Sequence, residues 1–176
     1  MMLCHRLTSR QQPHAGFTLV EIIIVIMVLA IAAALAVPMI GDTSSDKLRG
    51  AASMLVADIG FAQVESIAHG DDLRLLVFDN PNDTYHIAAA GDTATPITNP
   101  INKLPYLRDY GSGTADSLTG VTIDSYSLGG DDELGFNVYG ALDQATDATI
   151  TLGCKGFSVT VTVDAETGEG VIGAIN

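Results

Sequence analysis

The chain has 176 residues, enough for one modest domain with an appendage. It carries 21 acidic and 8 basic residues, a net charge of −13, and such an acidic excess repels phosphate backbones, so no nucleic-acid partner is expected. The two cysteines, Cys4 and Cys154, form no C-x-x-C pair, and neither a zinc site nor a disulfide is expected. Cys154 lies in an apolar strand pattern, which predicts a buried thiol.

The first element is a membrane-length apolar helix behind a basic leader. Residues 1–16 hold Arg6 and Arg10 and no acidic residue, and the uncharged apolar run is 22–40. A helix of about 19 residues nearly spans the ~30 Å hydrocarbon core of a bilayer. The run is longer than the core of a secretory signal peptide and lacks its small-residue cleavage site. Basic residues before the run predict a cytoplasmic N-terminus and an exported C-terminal domain.

A single carboxylate, Glu21, stands at the start of this helix in the string GFTLVE. Thr18 and Glu21 have capping-box spacing, in which the hydroxyl accepts from the helix backbone and the carboxylate reaches back. The helix dipole also favours an acid in the first turn. Capping alone is therefore one complete explanation of Glu21.

The same string resembles the class III signal of type IV pilins and type II secretion pseudopilins. Gly16, Phe17, Thr18, Leu19 and Glu21 all fall at the family's positions. The resemblance implies that a prepilin peptidase cuts between Gly16 and Phe17, which removes the leader 1–16, and that Phe17 becomes an N-methylphenylalanine.

For assembly, the resemblance assigns roles to two residues of this helix, Glu21 and Pro38. Glu21 would pair with the new terminal amine of a neighbouring filament subunit and set the axial register. Pro38 matches a proline that kinks these helices, since proline lacks the N–H that the helix ladder needs. The assembly helix is thus expected over 17–41.

Residues 42–70 have the pattern of a helix with two apolar faces. One face contains Leu48, Ala52, Leu55, Ile59 and Ala62. The other contains Met54, Ala57, Phe61, Val64 and Ala68. Lys47, Asp58 and Glu65 are predicted to fall between them. Two apolar faces predict that the helix packs against the chain's own sheet with one face and against neighbouring subunits with the other. The alternative is a helix enclosed within one domain.

From 71 to 176 the pattern changes to short alternating strands separated by turn residues, which predicts an antiparallel β domain. The segment 91–120 is expected to be a long variable loop with at most one short strand. Strands are predicted at 73–78, 84–90, 121–128, 134–139, 148–154, 157–163 and 170–175.

Three further strings resemble GspH/FimT-type minor pilins. AASMLVADIGFAQVESIAHGDDLRLLVF resembles the passage from helix to first strand, LGFNVYGAL a central strand ending at a glycine turn, and VTVDAETGEGV a closing hairpin. The resemblance implies an α+β, pilin-like fold, with a long N-terminal helix, its first half transmembrane, packed on a C-terminal antiparallel β-sheet domain.

No H-E-x-x-H, G-x-S-x-G, P-loop or paired-cysteine pattern occurs, so no enzyme activity and no cofactor are expected. Acidic turns could supply oxygen ligands for calcium, although the EF-hand spacing is missing. These calcium candidates are Asp79, Asp83, Asp131, Asp132 and Glu133.

The predicted function is that of a minor pseudopilin or pilin, taking part in protein secretion from a type II secretion pseudopilus or a type IV pilus. It would occupy the bacterial inner membrane once, with a periplasmic β domain, and then a filament. Its expected partners are other pilin or pseudopilin subunits, the prepilin peptidase and methyltransferase, the inner-membrane assembly platform and, before assembly, the lipid bilayer. Two alternatives remain: a DNA-binding or adhesive minor pilin, and an uncleaved, membrane-anchored ligand-binding domain.

Overall fold

The computed structural model describes residues 17–36 and 43–176. The chain divides into two compact units, residues 1–41 and residues 42–176, and each is considered separately below. Within the first unit, helix α1 covers Leu19–Ala36.

Helix α2, Ser44–Ala68, is the central element of the second unit. The first apolar face predicted from the sequence is confirmed, because Leu48, Leu55 and Ile59 are at most 1% exposed and the two alanines of that face are also buried. The helix ends after Ala68, where the main-chain N–H of His69 still donates to the carbonyl of Glu65.

Length and composition alone would allow α2 to cross a membrane, and among the described residues it is the one helix that meets both conditions. Its environment indicates a different role, because it packs against strands of two sheets and contributes to one continuous core. In α1 the apolar stretch that can be assessed is shorter, Leu19–Ala33. The predicted membrane run 22–40 lies partly outside the described residues.

Two antiparallel sheets accompany α2. The first has five strands in the order β3-β2-β1-β6, with β4 also paired to β2. The second has the order β5-β7-β8-β9. The strands are β1 Arg74–Asp79, β2 Thr84–Ala89, β3 Asp92–Pro96, β4 Leu107–Asp109, β5 Thr122–Ser127, β6 Glu133–Gly135, β7 Ala148–Cys154, β8 Phe157–Val163 and β9 Gly170–Ile175.

Alternation along the strands explains how α2 is covered. In β7 and β8 every second residue points to the core, including Ile150, Leu152, Val159 and Val161, all at most 1% exposed. Helix α2 lies against β1 in one sheet and against β7, β8 and β9 in the other. Cys154 at the end of β7 is buried and free, as predicted. The prediction of an α+β domain, with a helix packed on antiparallel β structure, is therefore confirmed.

The segment 91–120 differs from its prediction. It contains two short strands, β3 and β4, followed by a 3-10 segment at Gly113–Leu118, instead of a loop with at most one strand. Tyr106, Tyr110 and Leu118 are at most 7% exposed, so the segment is part of the core. The segment is rich in Thr, Asn, Pro and Gly, which predicted a loop, and its buried apolar residues are too widely spaced to show a strand pattern.

The strand predicted at 134–139 is also shorter than expected. β6 ends at Gly135, and Phe136 then bridges Leu142 across a tight turn. Asn137 explains the change, because its side-chain oxygen accepts from the main-chain N–H groups of Tyr139 and Ala141. An asparagine that bonds its own backbone in this way favours a turn over a strand.

Candidate functional site

The predicted processing and assembly residues lie in and around helix α1. The main-chain N–H of Glu21 donates to Thr18 Oγ1 at 3.2 Å, which confirms the threonine half of the capping box. Glu21 itself is exposed. Phe17 is 78% exposed at the start of the described chain. Gly16 and Pro38 lie outside the described residues, so their roles in cleavage and kinking stay predictions.

The described surface of α1 is apolar on every side. Every described side chain from Phe17 to Ala33 is exposed. Ile22, Val25 and Leu29, which lie on the same helix, are between 47% and 61% exposed. Exposed apolar surface of this extent is unfavourable in water, so α1 requires lipid or protein around it. Glu21 is the one charged side chain among its described residues.

A buried carboxylate on α2 forms the most connected polar cluster of the second unit. Asp58 is 2% exposed and faces the segment 91–120. Its two oxygens accept from Arg108 Nε at 2.6 Å and Nη2 at 2.8 Å, a bidentate ion pair. The hydroxyls of Tyr85 and Tyr106 donate to the same carboxylate at 2.8 and 2.9 Å. We call these four residues the Asp58 cluster.

The Asp58 cluster connects three parts of the domain, because Asp58 belongs to α2, Tyr85 to β2, and Tyr106 and Arg108 to the segment 91–120. Burial raises the pKa of Tyr85 well above its usual value, and the Asp58 charge adds to this effect. Burial likewise raises the pKa of Tyr106 to about 12. The hydrogen bonds to Asp58 raise the pKa of Arg108, which holds its charge.

The prediction that Asp58 falls between the two faces of the helix is therefore wrong. It lies on the buried face, beside Leu55 and Ile59. The sequence does contain a signal, since position 58 is three residues after Leu55 and four before Ala62, on the helical stripe assigned to the core. An acid on such a stripe needs a buried cation, and nothing in the local sequence identified Arg108, 50 positions later, as that cation.

The second apolar face of α2 is only partly covered. Met54 and Phe61 are partly buried against the core, and the Phe61 ring stacks on Tyr106 with centroids 5.1 Å apart. Val64 is 60% exposed, and Ala57 and Ala68 are exposed as well. The C-terminal half of this face thus offers apolar surface beyond the domain, and its contact with neighbouring subunits stays a prediction.

Gln63, on the same half of α2, attaches the helix to two turns. Its side-chain amide donates to the carbonyl of Gly140 at 2.8 Å and to that of Thr167 at 2.6 Å. Gly140 has a φ of +85°, and a Cβ there would collide with Ile67 and Gln63. The turns after β6 and between β8 and β9 are thereby held at one end of α2.

Four of the five calcium candidates accept hydrogen bonds through their carboxylates. Asp79 accepts from Asn82, Asp83 from the N–H of Ile123, Asp131 from the N–H of Glu133, and Asp132 from the hydroxyl of Tyr126. Across residues 17–36 and 43–176 no group of three or more His, Cys, Asp or Glu side chains is arranged to hold a metal ion. Calcium binding by these residues stays a prediction.

The segment 91–120 also forms an open groove of about 360 Å³. Leu104 and Leu107 contribute its apolar surface and are 59% and 48% exposed. Arg108 lines it too and donates through Nη1 to Thr114, so the Asp58 cluster holds one wall in place.

Comparison with known proteins identifies a motif in the N-terminal part of the chain. Residues 12–37 match the family described as the prokaryotic N-terminal methylation motif. This match includes the GFTLVE string, so the chain carries the class III signal from which a pilin-like precursor was predicted. No curated protein sequence matches the chain.

The fold is similar to that of two solved pilin-like proteins. The crystal structure of the type IV minor pilin FimU of Pseudomonas aeruginosa superposes with a TM-score of 0.52 at 16% identity, over 75% of this chain and 92% of FimU. The minor pseudopilin EpsH from the Type 2 Secretion System of Vibrio cholerae gives 0.53 at 17% identity, over 73% of this chain and 97% of EpsH. The chain thus has a pilin-like fold and an N-terminal methylation motif.

The Asp58 cluster generates a stability prediction. Replacing Asp58 by Ala leaves Arg108 and two tyrosine hydroxyls without their acceptor, so we expect the free energy of unfolding to fall by about 3–5 kcal/mol. Urea denaturation of the detergent-solubilised chain measures it. The control is Glu65→Ala, which removes the exposed Glu65–His69 pair on the same helix and should cost under about 1 kcal/mol. Equal losses in both variants would contradict the assigned role of Asp58.

The tyrosines generate a prediction about pH. In the folded state the phenols of Tyr85 and Tyr106 keep protons that the unfolded chain releases above a pKa near 10.0. These retained protons make their full contribution to the free energy of unfolding below about pH 10, and that contribution is lost as the pH rises towards 12. Urea midpoints between pH 8 and pH 11.5 should therefore fall only above pH 10, and Tyr106→Phe should reduce that fall. A midpoint independent of pH up to 11.5 would contradict the burial of these phenols.

Proposed function

We propose that the chain is a minor pilin-like subunit, a pseudopilin, which a prepilin peptidase processes and which assembles into a type II secretion pseudopilus or type IV pilus to take part in protein secretion. The observation that carries this proposal is the methylation motif at residues 12–37 in a chain whose second unit has the pilin-like fold. The class III signal and the apolar helix α1 are consistent with anchoring in the inner membrane before assembly.

Processing and assembly then form one mechanism. Cleavage after Gly16 gives Phe17 a cationic amine, and Glu21 follows one helical turn later. A carboxylate among apolar helices is costly unless it is paired. A neighbouring subunit's amine satisfies Glu21, so the pair fixes the axial register. The apolar side chains of α1 exchange lipid contacts for contacts with other helices, at little change in burial.

The alternative of a DNA-binding minor pilin finds no support in the charges of the β domain. Arg108 is paired with Asp58 and Arg74 with Asp72, and Lys47 donates to the carbonyl of Thr119. The other basic residues of 43–176 are Arg49, Lys103 and Lys155. Phosphate backbones are bound through several clustered cations, and this acidic surface repels them.

Cleavage is tested by the mass of the mature chain. We expect the chain purified from its native host to begin with N-methylated Phe17, and Gly16→Asp to block the cut and leave Met1 in place. Intact-mass spectrometry with N-terminal peptide sequencing distinguishes the two products. A native chain that retains residues 1–16 would reject processing and favour the uncleaved, membrane-anchored alternative.

The pairing of Glu21 is tested separately from cleavage. Glu21→Ala should leave cleavage between Gly16 and Phe17 intact, with the mature mass lowered only by the substitution itself, and reduce the amount of this chain in sheared filaments about tenfold or more, since one unpaired terminal cation remains in an apolar setting. Glu65→Ala on α2, an acid-to-alanine change outside α1, is the control and should incorporate normally. Filament recovery of Glu21→Ala equal to that of the control would contradict the pairing.

A further inference from the structure

The last strand of the second sheet has an unprotected edge. β9, Gly170–Ile175, pairs with β8 on one side and is the end of the strand order β5-β7-β8-β9. Its sequence, GVIGAI, contains no charge and no proline. Val171 is 58% and Ile172 is 37% exposed. Such an edge presents free main-chain hydrogen-bonding groups beside apolar side chains, a combination that soluble proteins normally avoid.

The main chain of β9 shows which groups are free. Asn176, directly after the strand, exchanges both of its main-chain hydrogen bonds with Ser158 of β8. Because hydrogen-bonding direction alternates along an antiparallel strand, the N–H and C=O of Ile175 point away from β8. An extended backbone is the ligand whose donors and acceptors match such a row.

The other sheet edges of the described domain carry a charge, a proline or a very short strand, none of which β9 has; β9 has only a register irregularity opposite Val159 to Val161. β5 contains Asp124 at a register irregularity, and the carboxylate of Asp83 caps the N–H of Ile123. β6 has three residues and begins with Glu133. On the edge beyond β2, β3 contains Asp92 and ends in Pro96, and β4 is three residues long. Charge, proline, shortness and irregularity are the usual means of blocking strand addition.

A groove beside β9 indicates the chemistry of the added strand. It has a volume of about 290 Å³ and is lined by Arg49 and Ser53 of α2 together with residues 172–175. Arg49 is exposed, and no hydrogen bond or ion pair of its guanidinium occurs within the described part of the chain. An acidic side chain on the α2 side of the incoming strand would meet Arg49, and apolar side chains on its other side would cover Val171.

We propose that β9 accepts a β-strand from a different subunit of the filament, one with apolar residues at alternate positions and a carboxylate that pairs with Arg49. The net charge of −13 argues against a second copy of this chain, because two such acidic domains repel each other. This inference deepens the proposed function, since the partner is a subunit of the same assembly.

The test places p-benzoylphenylalanine at position 171 of the full chain in its native host, with position 125 on the protected β5 edge as the matched control. Illumination should give from position 171 an adduct with one different subunit. Mass spectrometry of that adduct should place the cross-linked peptide in an alternating apolar segment that contains Asp or Glu. Position 125 should give at least about tenfold less adduct, since its edge is closed to strand addition.

Arg49 supplies the second arm of the test. Arg49→Glu should lower the adduct yield about fivefold, and Arg49→Lys should retain most of it, as expected for a partly exposed charge pair. Both variants should keep the melting temperature of the parent chain, because Arg49 is exposed.

Three results would overturn the inference: equal adducts from positions 171 and 125, an adduct of two copies of this chain, or a cross-linked peptide without the alternating pattern. A chain with N-methylated Phe17 that gives no adduct from position 171 would reject edge pairing and leave the proposed function standing. A chain that retains Met1 would reject the proposed function itself.

Discussion

A helix whose described surface is apolar apart from Glu21 must be covered by lipid or by protein, and the proposed function depends on this constraint. The side chains from Phe17 to Ala33 are exposed, so the described residues of the first unit supply no cover for them. A bilayer covers them without specificity, and a bundle of similar helices covers them at a similar free energy. Because covering α1 by lipid and covering it by other helices have a similar free energy, one segment would be able to serve first as a membrane anchor and then as a filament core.

The β domain depends on a different interaction, the ion pair between Asp58 and Arg108. A buried carboxylate is unfavourable by itself, so its position on α2 requires the segment 91–120 to fold over it. Tyr85 and Tyr106 complete its hydrogen bonds, and the Phe61–Tyr106 stack covers the cluster. The segment with the least regular sequence is thus fixed by the most specific polar contact, and the groove around Leu104 and Leu107 is presented in a defined shape.

Periodicity was sufficient to predict the regular elements. The face from Leu48 to Ala62 and the strands β7 to β9 were predicted within a residue or two, because each repeats an apolar residue at the period of a helix or a strand. The resemblance of GFTLVE to the class III signal is supported by the match at 12–37. This motif could be recognised from the sequence because it is a short local string, independent of the fold.

The parts that were missed depend on contacts between distant positions. The segment 91–120 has too few apolar residues to show a period, and its strands form by pairing with β2. Arg108 is identified as the partner of Asp58 only when the sheet brings them together. β9 was predicted as a strand. That one of its edges is open to pairing is seen only when its place at the end of the sheet is known.

The location of the wild-type chain in its native host tests most directly whether α1 exchanges a bilayer for a filament core. Filaments sheared from cells or trapped during assembly, and the inner membrane from the same cells, are analysed by quantitative mass spectrometry. We expect the chain in both the inner membrane and the filaments. In the filaments it should be a minor component beside a major subunit. A chain confined to the membrane as a solitary protein, with residues 1–16 still attached, would contradict this exchange.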